Sequence, residues 1–331
     1  MSNPKPPILE KIAAVASGPW FALVALLLLC GLTNDVFLSA QNLLNIMRQV
    51  SYSGLIALGM TFVIVGGGID LSVGSLFALA GVSAALAMEK LSAPVAAAYG
   101  LSPDAAGILL GAAVAMAVAM LGSAANALAI VAGRLPPFIA TLGTLSIFRS
   151  AALFLADSGT LAVENPAFAR LGGATVLTVP LPAIVLVLAA ILMDVVLART
   201  VFGRHVCAVG ASPRVATFAG IRTDRVAFAT YLIPGLCIGA SAFLFLGRLG
   251  SISSSNAGMG YELDAIAAVI IGGTSMSGGR GTLRGTLAGV FILGVVSNIL
   301  DLWGVSVNLQ GVVKGLVIII SVLIQRKEKQ T

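Results

Sequence analysis

Apolar residues in this chain fall in long unbroken runs, and polar residues gather between them. A helix needs roughly 20 mostly apolar residues to cross a hydrocarbon layer, and about ten runs approach that role. They predict helices over about 13–33, 50–66, 71–88, 105–131, 138–156, 183–198, 226–246 and 308–324, with two more on either side of a glycine-rich break at 272–281. Residues 40–49 read as an interfacial segment feeding the second helix. Arg134-Leu-Pro-Pro137 ends the fourth, because a residue before proline avoids the helical region. Between the runs lie loops at 89–104 and 248–260, a polar connection at 157–182 and a hydrophilic segment at 199–225.

Two runs stop where a spanning helix should continue. Residues 258–289 read GMGYELDAIAAVIIGGTSMSGGRGTLRGTLAG. The apolar part, Ala265 to Ile271, is about seven residues, far short of a span. Glycine loosens a helix, so the pattern predicts a discontinuous helix. Non-helical backbone at membrane depth survives only where protein or a water-filled cavity covers it, and transport sites are built there. Residues 60–82, MTFVIVGGGIDLSVGSLFALAGV, repeat the theme. VIVGG at Val63 matches VIIGG at Val269, and AGV at Ala80 matches AGV at Ala288, a weak internal repeat of the transporter kind.

Composition agrees: 58% of the 331 residues are apolar and 10% charged, against about 25% charged in soluble domains. The fold class is therefore all-α, a polytopic membrane protein with residues 1–331 as a single transmembrane domain. The apolar run at 19–32 lacks a cleavage site and reads as a retained first helix. Cys30, Cys207 and Cys237 have no paired spacing and imply packing, not disulfides. The net charge of +6 is scattered over loops without a basic face, so nucleic acid is not a partner; membrane lipid is. Charge instead sets topology. With the amino end inside, Arg48, Lys90, Arg170 and Arg248 fall outside, Arg149 and Lys314 lie in helices, and the remaining Lys and Arg fall inside, as the positive-inside rule favours. Both tails, 1–12 and 325–331, are then cytoplasmic.

The catalytic inventory is thin. No lysine follows a glycine, so no phosphate-cradling G-x-x-x-x-G-K-[ST] loop exists here. A single histidine, His205, leaves no histidine cluster for a metal, and no cofactor or enzymatic activity is expected. An ion-coupled carrier for a small polar solute stays open as the alternative, although ionisable residues inside helices are few. The 199–225 segment carries its own structure: Ser212-Pro213 is an N-cap and first-turn pair, and Gly220 fits a helix stop. A two-turn cytoplasmic helix from Pro213 to Ala219 follows, either an ordinary loop helix or a docking element for a partner.

Four ordered motifs, GMTFVIVGGGIDLSVGS, LPPFIATLGTLSIFRS, FGRHVCAVGASPRVATFAGI and GYELDAIAAVIIGGTSMSGGRGTLRGTLAG, resemble the permease subunit of ribose-type monosaccharide ABC importers over about residues 40–324. The resemblance implies a second permease subunit, identical or not, two cytoplasmic ATPase subunits, a periplasmic sugar-binding protein and the bacterial inner membrane. It also places the ATPase-coupling helix at 212–220. There Arg214 could pair with an acid, while Val215 and Phe218 supply apolar anchors.

Further candidates follow. Thr61, Ser72, Ser75, Asn126, Thr274, Ser275 and Asn298 are small uncharged groups suited to sugar hydroxyls, with helix–helix hydrogen bonds as the competing role. Asp70 either caps a helix starting at Leu71 or touches sugar. Glu262 and Asp264 are expected near the periplasmic mouth, as first-turn acids of a short helix, as a gate or as contacts to the binding protein.

Overall fold

The computed structural model describes residues 18–306, 309–317 and 319; both tails fall outside them. The chain runs through α1 (Pro19–Thr33), α2 (Ala40–Val65), α3 (Val73–Tyr99), α4 (Pro103–Val131) and α5 (Pro137–Leu155). Then come β1 (Thr160–Ala162), α6 (Pro166–Gly173), β2 (Thr175–Val176), β3 (Val179–Pro180) and α7 (Leu181–Arg199). The second half holds α8 (Val201–Ala211), α9 (Pro213–Phe218), α10 (Thr223–Leu249), β4 (Ser251–Ser253), α11 (Tyr261–Ile271) and α12 (Leu283–Leu302). Helical backbone resumes over 309–317.

Two boundaries depart from the hydropathy reading, each for a local reason. α2 is continuous from Ala40, not interfacial to Gln49, because the Ser39 hydroxyl caps it by accepting the Asn42 amide and no Gly or Pro follows before Gly54. α3 continues past Met88 through Pro94 to Tyr99. Proline frees the carbonyl four residues back, here that of Lys90, which stands in an exposed stretch. Gly100, at φ 66°, ends the helix instead.

Among the described residues seven helices are long and apolar enough to cross a membrane: α2, α3, α4, α5, α7, α10 and α12. α1 has 15 residues and α11 has 11, so α11 spans only about 16 Å. The expected extension of the first helix to residue 13 and the far end of the tenth lie outside the described residues.

α2 is the axis of the bundle: 83% of its most apolar stretch is buried, against 22% for α5. α7, α10, α11 and α12 all pack on it. Glycines set the close approaches. A Cβ at Gly235 or Gly239 of α10 would press on the Ala119 and Ala115 carbonyls of α4. One at Gly289 of α12 would strike the Ala268 carbonyl of α11. Among the described residues, a Cβ at Gly311 or Gly315 meets nothing within 4 Å. At one end, β1 and β4 pair antiparallel with Leu161 opposite Ile252, which joins the loop after α5 to the loop after α10.

Candidate functional site

The two glycine breaks adopt the same backbone design. After α2, Gly67 at φ 85° donates to the Ile64 carbonyl and Gly68 to that of Val63. After α11, Gly273 at φ 88° donates to Ile270 and Thr274 to Val269. Each pair is a Schellman closure, in which a left-handed residue lets the next amides reach back to the last free carbonyls. The repeat seen in the sequence is thus a repeat of geometry.

The breaks also touch. The Gly279 amide donates to the Val65 carbonyl at 2.8 Å, joining the end of α2 to the loop before α12. Gly210, in the last turn of α8, lies between them. A Cβ there would strike the Val65 carbonyl and crowd the Gly279 nitrogen, and Gly278 abuts both Gly210 and Gly67. The hydrophilic segment therefore reaches the breaks through bare backbone.

That segment folds as its caps predicted. Ser212 accepts the Val215 amide, and Pro213 opens α9. Gly220 at φ 80° donates to Thr217, and Ile221 to Ala216, a third closure of the same kind. Ser212 also terminates α8, its amide donating to Ala208, so α8 and α9 share one residue as stop and start. Only Ala216 of α9 is buried; Val215 is 66% and Phe218 91% exposed, with Arg214 exposed beside them. α8 itself was not read from the sequence, although Thr200 caps it by accepting the Gly203 amide.

Asp70 does not start the helix at Leu71. α3 begins at Val73 with Ser72 at its N-cap position. The buried Asp70 carboxylate accepts the Ser72 amide at 2.8 Å, the Ser72 hydroxyl at 2.7 Å and the Asn126 amide at 3.3 Å. Asn126 also donates to the Ser72 hydroxyl, and its own Oδ1 has no partner. Ser75 donates to the Ser72 carbonyl. Asp70, Ser72, Ser75 and Asn126 thus form one buried cluster joining the first break to α4.

The other polar candidates scatter. Thr61 donates to Ala57 and pairs with Thr286 across α2 and α12 at 2.8 Å. Asn298 and Asn42 exchange two amide hydrogen bonds across the same helices. Thr274 is fully buried with its hydroxyl unpartnered, while the Ser275 amide donates to Arg280 and closes the second break. Glu262 lies against Gly74 at the start of α3. Asp264 forms an ion pair with Lys314 at 2.9 Å. Arg149 donates to the carbonyls of Ser254, Ser255 and Ala257, gripping the loop that leads into α11.

The sequence reading named Asp264 but not the polar group it joins. Gln49, Ser53, Tyr261, Asp264, Ser297 and Lys314 line a cavity of about 160 Å³ between α2, α11, α12 and residues 309–317. Gln49 and Ser53 stand four apart, on one helical face, and Asp264 with Lys314 are opposite charges beside or inside apolar runs; those were the available signals. No group of three or more His, Cys, Asp or Glu side chains able to hold a metal ion occurs among the described residues.

A multi-pass bundle with paired broken helices and an exposed capped helix is a transport architecture. The family model described as the permease component of branched-chain amino acid transport systems matches residues 42–322. The chain belongs to this permease family. The permease is 42% identical to the ribose import permease protein of Bacillus subtilis, over 94% of this chain and 92% of the relative. It is 36% identical to the ribose import permease protein of Escherichia coli, over 93% and 94%. The D-allose transport system permease protein of Escherichia coli is 34% identical over 93% and 91%. No solved structure matches it. The permease is a multi-pass membrane protein of the ribose-type ABC importer class.

Proposed function

We propose that this permease carries ribose or a closely related monosaccharide across a bacterial inner membrane, driven by a separate ATPase and fed by a periplasmic sugar-binding protein. The carrying observation is the 42% identity to a ribose import permease over 94% of the chain. In this reading two permease subunits and two ATPase subunits assemble, both tails are cytoplasmic, and the chain crosses the membrane about ten times if α1, α11 and the segment from 309 each count as a crossing. ATP is hydrolysed by the partner, since this chain has no phosphate-cradling motif.

The exposed α9 supports the coupling role of residues 212–220, because an aromatic anchor at 91% exposure is the kind of group a partner buries. The ion-coupled alternative has less support: Asp70, the acid placed at a break, is enclosed by Ser72 and Asn126. Uptake of labelled pentoses and hexoses in a strain deleted for this permease tests the reading. D-ribose or a near relative should enter only when the permease and its ATPase are both restored. Uptake that survives loss of the ATPase and collapses with a protonophore would instead favour the carrier.

A further inference from the structure

We propose that the cavity between α2, α11, α12 and residues 309–317 is a sugar-binding station on the translocation path, where Asp264 and Lys314 present an acceptor and a donor to sugar hydroxyls. This rests on the monosaccharide-import reading and adds the residues that would touch the sugar.

The cavity exists because α11 is short. Its 11 residues cover about 16 Å, whereas the 26 of α2 and 20 of α12 cover about 39 and 30 Å. α2 and α12 lie in direct contact where a Cβ on Gly294 would strike Val50, and both run past the first turn of α11. The space left there is lined by Gln49 and Ser53 from α2, Ser297 from α12, Asp264 from α11 and Lys314. Four separate segments thus converge polar groups on one hollow, as the few polar groups of a small-ligand site do.

The ion pair itself points to a ligand. Charged side chains within a membrane bundle are costly and cluster on substrate paths. A paired charge is also a poor brace, since well-packed apolar residues often do as well or better. Asp264 and Lys314 are 22% and 27% exposed, so both keep part of their hydrogen-bonding capacity turned to open space. A monosaccharide carries neighbouring hydroxyls that each donate and accept, which matches a carboxylate 2.9 Å from an ammonium. The pair competes with the sugar for its own partners, which keeps binding weak enough for release, as a path requires. By contrast, Thr61 and Asn298 already hold each other's neighbouring helices together.

The experiment is D-ribose uptake by the complete transporter, permease with ATPase and binding protein, in proteoliposomes; D-allose replaces ribose if the wild type rejects ribose. Asp264→Asn and Lys314→Gln should insert normally, retain the ATPase and lose uptake by at least about tenfold, the scale of one charged hydrogen bond. The swap Asp264→Lys with Lys314→Asp restores an ion pair in the reverse sense and should insert normally but not recover uptake. Wild-type uptake in the swap would make the pair a structural brace and overturn the proposal. So would unchanged uptake in both single variants. If the single variants fail to insert, Ser53→Leu decides: it fills the hollow without touching the charges and should abolish uptake, and normal uptake sinks the idea. A wild-type complex that imports none of the sugars fells the functional reading and this inference together, whereas wild-type import with insensitive variants fells this inference alone.

Discussion

Asp70 shows what a buried acid does here when no cation pairs with it among the described residues. Its oxygens hold the Ser72 amide, the Ser72 hydroxyl and the Asn126 amide, so its first role is to fix the turn between Gly68 and α3. Asp70→Asn keeps an acceptor for Ser72, and Asn126 can turn its unpartnered Oδ1 toward the new amide. That variant should fold normally and lose little uptake. Asp70→Leu leaves two or three buried donors unpaired, at about 1–3 kcal/mol each, and should lose most of its folded peak in size-exclusion chromatography after mild heating. Normal folding of Asp70→Asn with abolished uptake would move Asp70 onto the sugar path. The Asn42–Asn298 exchange gives a second residue-scale expectation. Asn298→Ala leaves the Asn42 Oδ1 unpaired, although its Nδ2 keeps the Phe37 carbonyl, and should destabilise by about 1–3 kcal/mol, while removing both asparagines should cost less than the two single losses added.

At the scale of elements, what the sequence announced was whatever carried its own punctuation. α9 was legible because Ser212-Pro213 and Gly220 mark both its ends, and the structure places the helix between them. The breaks were legible because glycines interrupt apolar runs that are otherwise helical. The far end of α3 was not, because Pro94 reads as a stop and only packing on α4 and the late Gly100 show that it is not one. The cavity was hard to read for another reason: the i, i+4 spacing of Gln49 and Ser53 and the charges of Asp264 and Lys314 are weak signals taken singly, and what gathers them is the shortness of α11. For α9 the expectation is direct. Phe218→Ala with Gly220→Pro removes the exposed aromatic and the left-handed stop at φ 80°. The permease should still reach the membrane, co-purify less ATPase and lose uptake; wild-type uptake would leave α9 a plain loop helix and send the docking search to the exposed Arg134 and Arg280.

For the whole molecule, sidedness is the first question. The β1–β4 pair joins the loops after α5 and α10, while both breaks meet α8 at Val65, Gly210 and Gly279. On the proposed orientation, with the amino end inside, the first group would face outward. A cysteine at Met259, 76% exposed, in a chain freed of Cys30, Cys207 and Cys237, should react with impermeant thiol reagents from outside; labelling from the cytoplasm alone would invert the second half. Ala257, at 6%, is too enclosed to report. The meeting point at Gly210 has a mechanical meaning. A joint made of backbone against backbone has no side chain to rotate aside, so it has almost no slack. On the proposed coupling role, a displacement of α8 would press on both broken helices at once. The two breaks would then move together. Gly210→Ala would force that joint apart, and the expected result is a slipping clutch: an assembled complex that hydrolyses ATP while its sugar stays outside.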